Sequence, residues 1–156
     1  MDFYFNTIVR NQIVYITKRD DQWYIGSNRL CFPEAADGEV FSIAINQNVC
    51  IVLLVENKSS GRFGIPDNIF AFNYEGSLLW TIGEMLDKES SLPYKKIIFS
   101  SMIIHTKETL SQLPWSNLFG KVTLDESHDY LTAYDGGQQW LFDITDRKYL
   151  HRVFTH

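Results

Sequence analysis

The sequence is poor in basic residues, with 14 Lys and Arg against 19 Asp and Glu in 156 residues, a formal net charge of -5. A protein that binds nucleic acid in general needs a basic surface to neutralise phosphates. The deficit therefore argues against a nucleic-acid partner. It suits a soluble protein or one whose partner is basic.

Long apolar segments are also missing. No run approaches the roughly 18 apolar residues of a membrane-spanning helix, and the first residues, MDFYFNTIVRNQ, lack the basic and apolar regions of a signal peptide. We therefore expect no membrane partner and a cytoplasmic location. Cys31 and Cys50 are too few and too far apart for a zinc knuckle or a redox motif. In a reducing compartment both are expected to be free thiols.

Residue patterns that carry chemistry are scarce. The GRFG stretch at residues 61–64 has no following Lys and Ser/Thr, as a phosphate-binding loop would. The chain has no G-x-S-x-G motif, and its histidines lack metal-ligand spacing. We predict no catalytic residue, no metal, no cofactor and no enzymatic activity. A metal or catalytic role for His128, which has acidic neighbours, is kept as the alternative to a solvated loop histidine.

Aromatic residues are abundant, at 15% of the chain, and stand next to Val, Ile and Thr. This combination favours half-buried β-strands, and the length suits a single domain over residues 1–156. Two short helices are the most that the pattern allows, at Glu84–Ser91 and Thr106–Leu113. About twelve strands are predicted, at Phe3–Val9, Gln12–Lys18, Gln22–Ile25, Glu39–Ile45, Val49–Glu56, Ile69–Phe72, Leu78–Ile82, Ile97–Ile104, Val122–Leu124, Tyr130–Tyr134, Gln138–Ile144 and Tyr149–Phe154.

Two segments share one plan, an apolar run, a Gly/Asp turn and a second β-rich run. They are Asn68–Glu84, NIFAFNYEGSLLWTIGE, and Tyr130–Leu150, YLTAYDGGQQWLFDITDRKYL. Both resemble the blade repeat of quinoprotein-like (PQQ-like) β-propellers. The resemblance implies an all-β antiparallel meander, arranged as a partial or open propeller of two to three small sheets.

The departures from the propeller pattern are also informative. Blades run to about 40 residues and closed propellers have at least four, whereas the segment Leu86–Trp115 matches no blade. We therefore expect an open fan of sheets and not a closed ring. The cofactor-binding residues of quinoprotein enzymes match no position of this chain, so none is carried over.

Negative charge is concentrated near the C-terminus. Six acids lie between Leu124 and Arg147 without an intervening Lys or Arg, namely Asp125, Glu126, Asp129, Asp135, Asp143 and Asp146. Either this is a solvated surface or it recognises a basic protein, since complementary charge accelerates association. We predict the second, with the partner-binding residues Asp125, Glu126, Asp129, Asp135 and, as an aromatic anchor, Tyr134.

An acidic, β-rich chain of this size resembles bacterial toxin-immunity proteins. The resemblance implies a non-catalytic, protein-binding module that neutralises a basic toxin domain of the nuclease type. Two alternatives stay open, because a fold alone does not determine function. One is a small-ligand protein or enzyme with a pocket at the propeller mouth. The other is a structural module that pairs with itself as a homodimer.

Overall fold

A computed structural model of the chain describes residues 4–9, 12–33, 38–56, 68–87, 98–113 and 122–154. Twelve strands and two short helices lie within these ranges. The strands are β1 (Tyr4–Val9), β2 (Gln12–Arg19), β3 (Gln22–Ile25), β4 (Asn28–Arg29), β5 (Gly38–Ile45), β6 (Cys50–Glu56), β7 (Ile69–Phe72), β8 (Leu78–Thr81), β9 (Ser101–Thr106), β10 (Asp129–Tyr134), β11 (Gln138–Asp143) and β12 (Lys148–Phe154). The helices are α1 (Ile82–Asp87) and α2 (Lys107–Ser111).

The strands form three four-stranded antiparallel sheets, each built from four consecutive strands. Sheet A contains β1 to β4, sheet B contains β5 to β8, and sheet C contains β9 to β12. The first strand of sheet B contacts the first strands of both other sheets. Within the described residues every sheet keeps two free edges, so none of them closes into a barrel. The predicted all-β chain of small antiparallel sheets with two short helices is confirmed, and the resemblance to propeller blades stays a prediction.

Sheet B lies between two hydrophobic cores. Along β6 alternate side chains point to opposite faces: Ile51 and Leu53 pack with residues of sheet C, whereas Cys50, Val52 and Leu54 pack with residues of sheet A. This explains why the strand is apolar from Cys50 to Val55, since both of its faces are covered. Burying each such side chain contributes about 1.5–3 kcal/mol.

Sheet C has one face on sheet B and an outer face turned away from it. Trp140, Phe142 and Ile144 lie in the core shared with sheet B, as their alternation predicts. On the outer face, Leu141 packs with Tyr130 and with Leu110 of helix α2. Sheet C is therefore covered on both faces around Trp140, Leu141 and Phe142.

Helix α2 begins where the sequence predicts. The hydroxyl of Thr106 accepts a hydrogen bond from the Thr109 amide at 3.2 Å, and the Thr109 hydroxyl accepts one from the Thr106 amide at 2.8 Å. This reciprocal capping box satisfies two amides that a helix start leaves unpaired. The cap fixes the helix directly after β9.

One strand prediction is wrong, and a second is wrong in part. Residues 122–124 form no strand; Val122 and Leu124 instead pack on the outer face of sheet C from an irregular segment. Strand β9 begins at Ser101, because the backbone of Phe99 is bonded to the buried side chain of Asn68. The Asn68 amide group donates to the Phe99 carbonyl at 2.8 Å, and its oxygen accepts from the Phe99 amide at 3.1 Å.

Strand β9 lies within Leu86–Trp115, the segment that matches no blade pattern, and is the first strand of sheet C. Residue 97 of the predicted strand and residues 88–91 of the first predicted helix lie outside the described residues. The GRFG stretch does too. The single domain stays a prediction.

Both cysteines are free, Cys31 exposed and Cys50 buried, which confirms that prediction. Burial raises the pKa of the Cys50 thiol to about 12, so this thiol is chemically inert at neutral pH. Among the described residues, no helix has the length and apolar character needed to cross a membrane.

Candidate functional site

The predicted partner-binding residues lie at both ends of strand β10. Asp125 and Glu126 precede the strand and Asp129 begins it, whereas Tyr134 ends it and Asp135 follows. A strand of six residues separates the two groups by roughly 20 Å, at about 3.4 Å per residue. The structure therefore brings three of the five residues together and places the other two at the opposite end.

The carboxylate of Asp135 is occupied by its own turn. One oxygen accepts hydrogen bonds from the amides of Gly137 and Gln138, at 3.0 and 2.8 Å. The other accepts one from the indole of Trp140 at 2.9 Å. These contacts give Asp135 a structural role in holding the β10–β11 turn against the buried tryptophan.

Asp129 joins two sheets. Its carboxylate accepts a hydrogen bond from the side-chain amide of Asn46 at 3.0 Å, in the turn between β5 and β6. Its backbone amide donates to the Thr145 hydroxyl at 2.9 Å. Asp129 thereby holds the acidic end of sheet C against sheet B.

A cleft with a volume of about 510 Å³ opens at this end of sheet C, and we call it the acidic cleft. Its volume lies in the range of small-molecule sites, roughly 300–1,000 Å³. It combines four carboxylates, one imidazole and one ammonium group. The lining residues are Thr123, Leu124, Asp125, Glu126, His128, Tyr130, Asp143, Asp146, Lys148 and Leu150.

A histidine–carboxylate pair forms the centre of the acidic cleft. His128 Nδ1 lies 2.7 Å from Asp143 Oδ2, and Asp143 is only 4% exposed. The other oxygen of Asp143 accepts hydrogen bonds from the amides of Thr145 and Asp146, at 3.0 and 2.9 Å. One carboxylate oxygen thus holds the β11–β12 turn while the second orients the imidazole.

Two further carboxylates lie close to the same imidazole. Asp125 Oδ2 is 3.7 Å from His128 Nε2, and Asp146 Oδ2 is 3.8 Å from His128 Nδ1. The hydrogen bond to Asp143 raises the pKa of His128 and outweighs the opposing desolvation, and the three nearby negative charges act in the same direction as the bond. Hydrogen bonds from the Ser127 side chain and amide lower the pKa of Asp125.

Tyr130 fixes the floor of the acidic cleft. Its ring is buried on the outer face of sheet C, and its hydroxyl accepts a hydrogen bond from the Asp125 amide at 2.6 Å. Burial raises the pKa of Tyr130, so the phenol stays protonated at neutral pH. The position of Asp125 is therefore set by a rigid strand and not only by its own loop.

The same groups have the chemistry of metal ligands. Ligand atoms of His128, Asp143 and Asp146 lie within 4.8 Å of one another, and imidazole with carboxylate is a set that zinc accepts. His128 Nδ1 is already engaged by Asp143 at 2.7 Å, so a metal at that nitrogen would replace this hydrogen bond. The expectation of no metal stays a prediction.

The sequence contains a signal for the His128–Asp143 pair that charge counting misses. Asp143 is the last residue of the third strand of sheet C, and Asn73 directly follows the third strand of sheet B. Both side chains bind amides of the turn that follows. Aligning the two repeats therefore marks Asp143 as a turn residue that carries an extra charge.

No known protein family matches the chain, and no curated protein matches it.

Proposed function

We propose that this protein is a non-catalytic binding module that receives a cationic side chain of a basic protein partner in the acidic cleft. The observation that carries the proposal is the convergence of Asp125, Asp143 and Asp146 on one imidazole. The four carboxylates and the ammonium group of Lys148 leave three negative charges in the cleft when His128 is neutral. A guanidinium or ammonium group would compensate part of this charge.

Asp125, Glu126 and Asp146 are exposed residues of the acidic cleft, and we call them its rim. Their exposure supports a macromolecular partner. The side chains of Asp125 and Asp146 are 57% and 47% exposed, so their field extends into solvent, where it accelerates the encounter with a basic surface. The resemblance to immunity proteins implies a basic toxin domain of the nuclease type as the partner. Two free cysteines agree with the proposed cytoplasmic encounter.

A small cationic ligand is the second candidate. The buried Asp143 orients His128 so that Nε2 faces the acidic cleft, which is how a general base is held. The volume of about 510 Å³ suits such a ligand. This candidate requires that free arginine or spermidine bind as tightly as a basic peptide.

The proposal is tested by removing the rim charges. The variant carries Asp125→Asn, Glu126→Gln and Asp146→Asn, and its binding to a fluorescent hexa-arginine peptide is measured at low and physiological salt. We expect affinity to fall by about tenfold or more, since hydrogen bonds to charged groups contribute about 1.5–3 kcal/mol. The salt dependence should also weaken, because fewer exposed charges remain to be screened.

A matched control makes the same change of charge elsewhere. Asp20→Asn, Asp21→Asn and Glu39→Gln alter three exposed residues of sheets A and B. This variant should keep most of the wild-type affinity at physiological salt. Equal losses in both variants would show that the peptide senses net charge alone, and the acidic cleft would then be only a solvated surface.

A further inference from the structure

We infer that binding of a cation in the acidic cleft is coupled to the loss of a proton from His128. The cation and the protonated imidazole are two positive charges that interact with the same carboxylates. This inference rests on the proposed function and adds its regulation. The protein would bind its basic partner more weakly in acid and more tightly as the imidazole becomes neutral.

The hydrogen-bond geometry locates the proton that is lost. Nδ1 of His128 faces Asp143 at 2.7 Å, so the neutral ring keeps its hydrogen on Nδ1 and donates it to that carboxylate. Protonation then adds the second hydrogen at Nε2, which lies 3.7 Å from Asp125 Oδ2. Asp125 is the most exposed of the three carboxylates within 4 Å of the ring, and it is therefore open to an arriving cation. The added proton and the incoming cation therefore compete at Asp125.

His128 is the group of the acidic cleft that changes its charge near neutral pH. Imidazole is the side chain whose ordinary pKa lies closest to neutral pH, and the phenol of Tyr130 stays neutral. The charged and titratable groups that face the imidazole come from the segment before β10, from β10 and β11, and from the β11–β12 turn and β12. They are Asp125, Glu126, Tyr130, Asp143, Asp146 and Lys148.

Linkage sets the size and direction of the effect. If a bound cation disfavours the imidazolium, protonation of His128 disfavours the cation by the same factor. One linked proton changes the affinity by at most about tenfold per pH unit, between the pKa values of the free and bound states. We expect the dissociation constant of the hexa-arginine peptide to fall by about three- to tenfold between pH 5.5 and pH 8.

Titration calorimetry across this pH range, in two buffers of different ionisation enthalpy, tests the coupling. Wild-type protein should release a fraction of a proton on binding the hexa-arginine peptide at intermediate pH. The variant His128→Gln keeps a side-chain amide that can donate to Asp143 but cannot titrate, so its affinity should be independent of pH. His151→Gln, on neighbouring strand β12, is the matched control and should behave as the wild type does.

The outcomes separate the coupling from the proposed function. Equal pH dependence in wild type and His128→Gln would overturn the coupling, as would pH-independent wild-type binding. If the rim variant with Asp125→Asn, Glu126→Gln and Asp146→Asn still loses affinity in those cases, the proposed function stands. If the peptide binds no form of the protein, or binds the rim variant as well as the wild type, both proposals fail.

Discussion

Two hairpins occupy the same place in neighbouring sheets and differ in chemistry. The hairpin β7–β8 supplies the third and fourth strands of sheet B, and β11–β12 supplies those of sheet C. In each, an Asn or Asp lies where the third strand ends, with Asn73 directly after β7 and Asp143 as the last residue of β11. A residue with positive φ comes before the fourth strand: Gly76 at 89° and Arg147 at 56°. The features that the two hairpins share are part of the fold, so the features in which they differ indicate what is specific to sheet C.

The first difference is the residue that holds the turn. Asn73 Oδ1 accepts hydrogen bonds from the amides of Glu75 and Ser77, at 3.0 and 2.9 Å. Asp143 likewise uses a single oxygen, but for amides two and three positions on instead of two and four. Because one oxygen makes both bonds, we expect an amide to suffice for this turn. The second oxygen of Asp143 binds His128. The charge at Asp143 is therefore explained by the acidic cleft and not by the turn.

The second difference is the joint to the preceding sheet. The Gly76 backbone lies directly against the carbonyl of Arg29 in sheet A, and its own carbonyl accepts from the Cys31 amide at 2.9 Å. In the β11–β12 hairpin the corresponding contact with the preceding sheet is exposed and made by a side chain, since the Arg147 guanidinium donates to the Leu79 carbonyl at 3.3 Å. The contact of Gly76 with sheet A is therefore made by backbone, whereas that of Arg147 with sheet B uses a flexible side chain.

The largest effect is expected from Gly76→Ala. A Cβ at this position would lie 2.0 Å from the Arg29 carbonyl oxygen and 2.9 Å from its carbon, and φ is 89°. Backbone would have to move, so we expect unfolding to become easier by about 3–5 kcal/mol. Urea unfolding measures the change. Arg147→Ala, at the corresponding exposed joint, should cost about 0.5 kcal/mol or less, and similar losses at both positions would contradict the contrast between the joints.

Much of the architecture is predictable because local patterns determine it. The β6 strand is apolar from Cys50 to Val55 because it borders two cores, and the alternation of Trp140 and Phe142 gives their inward face. The start of β9 is not predictable in this way. The run from residue 97 is mostly apolar, with Ser100 and Ser101 in its middle, but the Asn68 side chain binds the Phe99 backbone ahead of the strand.

The acidic cleft was only half predictable for a related reason. Counting charges selects Asp125 and Asp135 equally, whereas the hydrogen bonds that separate them depend on where the strands place the rings of Tyr130 and Trp140. His128 precedes β10 and Asp143 ends β11, 15 positions further along the chain. Only the antiparallel pairing of β10 with β11 brings these turns together.

A moderate effect is expected from replacing Asp143. Asp143→Ala removes the acceptor for two turn amides at a buried position, and we expect a loss of about 1–3 kcal/mol in the free energy of unfolding. Asp143→Asn should retain most of the wild-type stability, because Asn73 performs the same task in sheet B. Denaturant unfolding of the two variants shows whether the turn needs only an acceptor oxygen or also the negative charge. Equal losses would mean that the turn of sheet C needs the charge itself.

The smallest effect on stability is expected from pH, and it concerns sheet C alone. The bond to Asp143 raises the pKa of His128 above its ordinary value of 6.5. The resulting stabilisation is fully present below about pH 6.5 and is lost as the pH rises through the pKa of the folded state. Burial lowers the pKa of His105, whose Nε2 lies 3.0 Å from the Thr132 hydroxyl. That shift acts in the opposite direction, reducing stability as the pH falls below about 6.5.

Comparison with variants isolates the contribution of His128 from that of His105. The stability of the wild type minus that of His128→Gln, measured by urea unfolding from pH 5 to pH 9, should decrease with rising pH. The same difference measured in the Asp143→Asn background should be nearly flat, since the amide binds the turn but attracts no proton. Asn73→Asp places a carboxylate in the equivalent turn of sheet B, away from His128. Near neutral pH, the free energy of unfolding of this variant should depend on pH as that of the wild type does. A wild-type difference that does not vary with pH would show that the His128–Asp143 pair contributes nothing to folding.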